Sequence, residues 1–172
     1  MTSYSFRTLA ALGVAVCAGA MIFAVVYLQM VRGYQPCAMC IGQRAAMTAT
    51  GILFLLAALH APLRFGRWLC GLLAALTAAV GGAVAARQVW LQSLPPGQAP
   101  ACGPTPAYLW HMFPAGEASR RIAELIFKGD GDCAKIDAQW LGLTLPAWTL
   151  IAFAGLVVFA LALPILARRE AH

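Results

Sequence analysis

The amino-acid sequence predicts an all-α membrane protein built as a bundle of four transmembrane helices. Of its 172 residues, 62% are hydrophobic and only 10% are charged, whereas a soluble domain usually carries about 25% charged residues. The mean hydropathy is +0.77. Four apolar runs each approach the roughly 20 residues that a helix needs to cross a bilayer. A soluble cytosolic enzyme and a disordered chain are excluded, because so small a globule cannot bury this much apolar surface.

The four predicted spans are runs without Lys, Arg, Asp or Glu. They cover residues 8–30, 45–63, 68–86 and 145–167. Pro146, near the start of the fourth run, suits the first turn of a helix. The first run is longer than the roughly 7–15 apolar residues of a cleaved signal sequence, so we expect it to remain as a membrane helix.

The basic residues lie mostly at the ends of these runs, so membrane topology explains the net charge of +6 better than nucleic-acid binding does. The flanking residues that fall on one side are Arg7, Arg64, Arg67, Arg168 and Arg169. Positive charge in short loops marks the cytoplasmic side, which predicts that both termini and the loop 64–67 are cytoplasmic. The loops 31–43 and 87–144 then face the outer side.

The long second outer loop divides into two parts. Its first half is predicted to be extended and poor in helix, since it contains Pro95, Pro96, Pro100, Pro104 and Pro106. In its second half Ile122, Leu125 and Ile126 recur at helical spacing beside charged residues. This pattern predicts a short amphipathic helix that lies on the membrane surface.

The six cysteines divide by compartment. Cys17 and Cys70 fall in apolar helices, where a free cysteine behaves as a small hydrophobic residue. The other four lie in the outer loops and are Cys37, Cys40, Cys102 and Cys133. Disulfides form and persist outside the cytoplasm. Four exported thiols therefore predict two bridges, with three possible pairings.

Cys37 and Cys40 form a CxxC motif directly before the second span. A helix N-terminus stabilises a thiolate, which favours redox chemistry at this motif. Haem attachment requires a histidine after the second cysteine, and Ile41 stands there instead. A structural zinc site usually needs two further ligands at matching spacing, and the sequence has no second CxxC motif.

Arg44 follows Cys40 by four residues, so on a helix it lies on the same face about 6 Å away. A guanidinium there can stabilise a thiolate or a neighbouring oxygen anion. The alternative is an arginine that extends to the membrane interface. A charge near membrane depth favours the functional interpretation.

Cys102 and Cys133 are flanked by turn-forming glycine, proline and aspartate. They have two interpretations. One is a structural bridge across a long loop, which commonly stabilises by about 2–4 kcal/mol. The other is a second redox-active pair, and the loop sequence alone does not decide between them.

The whole pattern resembles the DsbB family of bacterial disulfide bond formation proteins. The resemblance rests on four spans, the CxxC motif of Cys37 and Cys40, and Arg44 one turn later. It also includes the second cysteine pair and the sequence LGLTLPAW at residues 141–148, which enters the fourth span. Together these features cover essentially the whole chain.

The resemblance implies a relay in the bacterial inner membrane, with the active cysteines facing the periplasm. A reduced thioredoxin-like partner of the DsbA type would attack the Cys102–Cys133 disulfide, with Cys102 holding the mixed disulfide. Electrons would pass to the Cys37–Cys40 disulfide. Cys40 would then reduce ubiquinone or menaquinone from the membrane pool, supported by Arg44.

Gln88 marks a departure from some family members, which carry a histidine near the outer end of the third helix. An amide can donate a hydrogen bond to a quinone carbonyl but cannot deliver a proton. We therefore expect Gln88 to contribute to quinone binding without acting as a proton donor. Arg87 is an alternative source of electrostatic compensation.

Two other classes of protein compete with this interpretation. One is a quinone-linked reductase of the vitamin K epoxide reductase type, in which the CxxC motif follows the cysteine-bearing loop. The other is a metal-handling protein whose thiols bind soft ions such as Cu(I), because Met30 and Met39 lie near Cys37.

Overall fold

The structure is a computed structural model that describes residues 5–60, 64–95, 98, 100–136 and 138–166. Four of its helices are long and apolar enough to cross a membrane. The predicted four-helix membrane fold is confirmed. Of the residues named above, Pro96, Arg168 and Arg169 lie outside the described ranges.

Three of the membrane-spanning helices come first along the described chain, and the loop elements separate them from the fourth. In order they are α1 Phe6–Ile22 with a π-helical continuation Phe23–Val31, α2 Ala38–His60, α3 Arg64–Gln92, α4 Pro106–Met112, α5 Ala115–Lys128, α6 Gly131–Ala134, β1 Gln139–Trp140, β2 Leu143–Thr144 and α7 Leu145–Leu166. The helices α1, α2, α3 and α7 form the bundle.

Each bundle helix buries one stripe of side chains and leaves the rest of its apolar surface exposed. In α1 the buried positions recur every three or four residues, at Phe6, Ala10, Gly13 and Cys17. The exposed positions of α1 are also apolar, for example Leu12 and Val16. This pattern suits a helix whose outer face contacts lipid, because lipid solvates apolar side chains as well as a protein core does.

Small residues allow neighbouring helices of the bundle to pack closely against each other. A Cβ atom at Gly13 would lie 2.8 Å from the ring of Phe54, which brings α1 against α2. Gly81 of α3 packs in the same way against the ring of Phe153 in α7. Thr50 and Thr77 form a 3.0 Å hydrogen bond between α2 and α3. Gly81 therefore has a packing role.

The start of α1, the end of α2 and the start of α3 meet at one end of the bundle. Arg7 donates a 3.2 Å hydrogen bond to the backbone oxygen of Leu59. The guanidinium of Arg67 lies 5.0 Å from the centre of the Phe6 ring. Both arginines thus gather at the end opposite the CxxC motif, and which side of the membrane this end faces stays a prediction.

The long loop contains two helices that the sequence does not predict, α4 and the four-residue α6. Residues 98 and 100–105 have no regular structure, as expected, but α4 begins at Pro106. The expectation of an extended chain fails there because proline is tolerated in the first turn of a helix. The Thr105 side chain caps this helix by accepting a 3.3 Å bond from the Tyr108 N–H. The predicted amphipathic helix is present as α5.

A short hairpin leads into α7. Its strands pair Gln139 with Thr144 and Trp140 with Leu143. Leu141 and Gly142 between them have φ angles of 52° and 79°, the sign that a type I′ turn requires at both positions. The Trp140 ring packs against Phe23 and Tyr27, which holds the hairpin against the π-helical end of α1.

Candidate functional site

The CxxC motif sits at the first turn of α2, as the sequence predicts. Cys37 immediately precedes the helix and Cys40 lies in its first turn. The Cys40 N–H donates to Cys37 Sγ at 3.4 Å, so Cys37 satisfies one of the unpaired donors of the helix start. The two sulfur atoms lie 2.9 Å apart. The motif is therefore compact enough for its thiols to interact directly.

Cys133 is brought into contact with this motif from the distant loop. It lies in α6, whose first residue is preceded by Asp130, and the Asp130 carboxylate accepts a 3.1 Å bond from the Cys133 N–H. The Cys133 side chain is fully buried, with Met39, Val84 and Leu91 in the same cluster. Cys37 packs against the same cluster, and the interaction of the two thiols shifts the pKa of each. Cys37 is thus flanked by two sulfur atoms.

Gly129 makes this approach possible. Its φ angle is +73°, and a Cβ atom there would lie 2.9 Å from Met39 Sδ and 2.5 Å from Leu91 Cδ1. Only glycine adopts such a backbone at little cost. The turn between α5 and α6 can therefore close tightly over the CxxC motif.

The pKa values of the neighbouring Cys133 and Cys37 thiols are shifted in opposite directions. The hydrogen bond from Cys37 holds the pKa of Cys133 below its ordinary value, and the backbone N–H of Met39 contributes to this. The pKa of Cys37 is raised, chiefly by its hydrogen bonds to Cys133 and Cys40 and by burial. Cys133 is therefore the thiol outside the membrane spans that most readily carries negative charge beside the motif.

Cys102 occupies a different environment, on the exposed side of α6. Its Sγ lies 3.6 Å from Oδ1 of Asp132, and Asp132 also forms a 2.6 Å ion pair with Lys135. Lys135 lowers the pKa of Asp132 through this bond. The Gly131 N–H donates to the Ala101 oxygen at 3.3 Å, which ties the Cys102 segment to α6. Cys102 is accessible, whereas Cys133 is not.

Arg44 is held by α1 as well as placed near Cys40. Its guanidinium donates to Oε1 of Gln29 at 2.6 Å and to the backbone oxygen of Ala24 at 3.0 Å. The π-helical continuation of α1 supplies both acceptors, and π-helical turns are frequent at functional sites. Gln29 was not among the predicted site residues, although an amide within an otherwise apolar run marks it in the sequence.

The side-chain nitrogen of Gln88 faces the two sulfur atoms of the CxxC motif. Its Nε2 lies 3.4 Å from Cys37 Sγ and 3.7 Å from Cys40 Sγ. Its Oε1 accepts a 2.8 Å bond from Nε2 of Gln43. Gln43 was also missed, and its signal is a neutral amide directly before Arg44 in an apolar helix.

A cavity of about 280 Å³ lies beside these groups, just below the roughly 300–1,000 Å³ range of small-molecule sites. Its polar wall contains Cys37, Cys40, Gln43, Arg44, Gln88 and Gln92. Its apolar wall comes largely from α1, its π-helical continuation and α7, and includes Met21, Ala24, Leu28, Leu145 and Ala152. Such a cavity offers an apolar molecule hydrogen-bonding groups on one wall and apolar contacts on the other.

The fold and the site together define a multi-pass membrane protein whose chemistry is that of cysteine thiols. Comparison with known proteins identifies its family. The family model for "Disulfide bond formation protein DsbB" matches residues 6–163, so the chain belongs to the DsbB family. Members of this family are disulfide oxidoreductases.

Relatives named "Disulfide bond formation protein B" match over most of their length. The protein from Saccharophagus degradans is 44% identical over 156 residues, which are 91% of each chain. The protein from Methylococcus capsulatus is 42% identical over 161 residues, which are 94% of this chain and 95% of the relative. The resemblance predicted from the cysteine pattern is confirmed.

Proposed function

We propose that this protein is a dithiol:quinone oxidoreductase of the bacterial inner membrane. It reoxidises a periplasmic thioredoxin-like partner of the DsbA type and passes the electrons through two cysteine pairs to ubiquinone or menaquinone. The observation that carries the proposal is the packing of buried Cys133 against Met39 and Cys37 of the CxxC motif, at the edge of a cavity that Cys37, Cys40 and Arg44 line.

The first exchange takes place at a Cys102–Cys133 disulfide. A thiolate of the partner attacks Cys102 Sγ, the loop disulfide breaks, and Cys133 leaves as a thiolate. The second thiol of the partner then displaces Cys102, which releases the partner with its own disulfide. The exposure of Cys102 and the burial of Cys133 support attack at Cys102, because the rate of exchange depends on access to the sulfur that is attacked.

The second exchange regenerates the loop disulfide. The Cys133 thiolate attacks Cys37 of a Cys37–Cys40 disulfide, and Cys40 leaves as a thiolate. Cys102 then attacks Cys133, re-forms the loop disulfide and releases Cys37. The contact between Cys133 and Cys37 supports this order, and the net result moves two electrons and two protons from the partner to the CxxC pair.

The reduced CxxC pair must pass its two electrons to a strongly oxidising acceptor. A DsbA-type oxidant has a potential near −120 mV, whereas ordinary structural disulfides lie below about −300 mV, a gap of roughly 8 kcal/mol for two electrons. The chemistry that a quinone supplies when bound is the acceptance of two electrons and two protons. Arg44 and the amides beside Cys40 fit its oxygen atoms as donors, and the apolar wall of the cavity fits its ring.

The test is a reconstituted reaction. Purified protein in lipid nanodiscs is mixed with an excess of reduced DsbA-type protein and either a ubiquinone or a menaquinone analogue, while quinone absorbance and partner thiols are followed. We expect catalytic oxidation with at least one quinone and none for Cys102→Ser or Cys133→Ser. Cys70→Ala is the matched control and should turn over normally.

Two results would overturn the proposal. One is a partner that stays reduced with every quinone tested. The other is labelling with a membrane-impermeant maleimide that places Cys40 and Cys102 on opposite sides of the bilayer.

A further inference from the structure

Two neutral amides are buried together between α2 and α3. The exposed fraction is 6% for Gln43 and 3% for Gln88. We propose that Gln43 is a positioning residue that orients the Gln88 amide so that its N–H donors face the sulfur atoms of the CxxC motif and the loop that carries Cys133. This inference deepens the proposed function and rests on it for its catalytic consequence.

The hydrogen bonds specify one orientation of Gln88. Nε2 of Gln43 donates to Oε1 of Gln88 at 2.8 Å, which turns Nε2 of Gln88 towards Cys37 Sγ and Cys40 Sγ. The same Nε2 lies 3.5 Å from the backbone oxygen of Cys133. If the Gln88 amide were reversed, its N–H₂ group would face the N–H₂ group of Gln43. Its oxygen atom would then face the backbone oxygen of Cys133, and both contacts would leave buried polar groups unpaired.

The Gln88 amide is placed to form a hydrogen bond with Cys40 in both the thiol and the thiolate state. Cys40 Sγ lies 4.0 Å from Oε1 of Gln88 and 3.7 Å from its Nε2. A thiol at Cys40 can donate to the oxygen, and a thiolate can accept from the nitrogen. The amide itself does not titrate, so it serves both states without taking or losing a proton.

Gln88 also links the two cysteine-bearing segments. One donor group reaches the sulfur atom of Cys37, directly before α2, and the carbonyl oxygen of Cys133 on α6. Holding both from α3 keeps Cys133 at Cys37, the contact on which the second exchange depends. Gln43 donates to the Gln88 side chain, so the inference is that Gln43 acts on the sulfur atoms through Gln88.

The test compares volume-matched variants that lack the amide, Gln43→Met and Gln88→Met, with the double variant. Fully reduced protein is treated with N-ethylmaleimide without quinone or partner, and the alkylation rate of Cys40 is read by mass spectrometry. Loss of a hydrogen bond to a charged sulfur should slow alkylation about fivefold or more in each single variant. The double variant should be no slower than Gln88→Met alone.

The control is Gln139→Leu, an exposed glutamine of β1 outside the site, which should react at the wild-type rate. Gln43→Leu replaces Gln43→Met if the latter does not fold. An unchanged rate in the Gln43 variant overturns the inference, and so do additive effects in the double variant, which indicate that Gln43 acts independently. Because the assay contains no quinone and no partner, this result is separable from failure of the proposed function in the turnover assay.

Discussion

The guanidinium of Arg44 donates a 2.6 Å hydrogen bond to the side-chain oxygen of Gln29. This contact joins α2 to the π-helical end of α1 and positions a permanent positive charge at the wall of the cavity that Cys40 lines. A second bond to the Ala24 oxygen fixes the plane of the guanidinium. The orientation of Arg44 therefore depends on α1.

Gln29→Leu should slow quinone reduction although Gln29 carries no charge, because Arg44 loses one of its two anchors. We expect a decrease of about tenfold, and a larger one for Arg44→Ala. Arg44→Lys should resemble Gln29→Leu, since a lysine cannot make the same forked contact. The measurement is stopped-flow quinone absorbance after mixing with fully reduced protein, and wild-type rates in Arg44→Ala would remove Arg44 from the mechanism.

The thiolate of Cys133 should persist at a pH where an ordinary thiol is protonated. Its pKa lies below the ordinary 9.0, chiefly because Cys37 donates to it. The charged form is therefore present between the lowered pKa and 9.0, and it is lost only as the pH falls through the lowered value. In the fully reduced protein, the ultraviolet thiolate absorbance of Cys133 should be nearly constant in that window and should fall below it.

Cys37→Ala supplies the comparison for this titration, because it removes the main donor to Cys133. The pKa of Cys133 should rise towards 9.0 in this variant, read as ultraviolet thiolate absorbance against a Cys133→Ser reference. Cys70→Ala should titrate as wild type does. A Cys133 midpoint at or above 9.0 in the otherwise unaltered protein would contradict the assignment.

Gly42→Ala should loosen the contact between Cys133 and Cys37. A Cβ atom at Gly42 would lie 2.5 Å from Cγ2 of Ile126, so the Ile126 side chain must shift, and we expect α5 and the directly following α6 to move with it. We expect a stability loss of about 1–3 kcal/mol and less oxidant-induced Cys37–Cys133 disulfide on a denaturing gel. Gly19→Ala is the matched control, because nothing lies within 4 Å of that position. Equal cross-linking in both variants would show that α5 does not set the position of Cys133.

Leu141→Asn should stabilise the protein without changing turnover. Leu141 has a φ angle of 52° and a side chain that is 92% exposed, so it adopts a left-handed backbone with little packing in return. Asparagine tolerates this conformation better, and we expect a gain of about 1 kcal/mol, measured as the thermal midpoint in detergent. Gly142→Ala should shift the midpoint the other way, since its φ angle is 79°. A lower midpoint for Leu141→Asn would mean that the leucine side chain itself stabilises the hairpin.

The amino-acid sequence alone determined the membrane fold and the location of the cysteine chemistry. Lengths of apolar helix and the helical spacing of α5 are local properties, because lipid and interface act on each segment separately. The CxxC motif and Arg44 four residues later are also local, so their positions on α2 were predictable. Helix α4 was missed because a proline in the first turn of a helix looks the same in sequence as one in an extended chain.

Only the tertiary structure decided which groups meet. Cys133 contacts Cys37 because the glycine turn at Gly129 folds α6 over α2, and no periodicity in the chain encodes that approach. Gln29 and Gln43 acquire roles only through partners on other helices, Arg44 and Gln88. Hydrogen bonds between helices depend on the rotation of each helix in the bundle, which packing at small residues sets and which no single segment specifies.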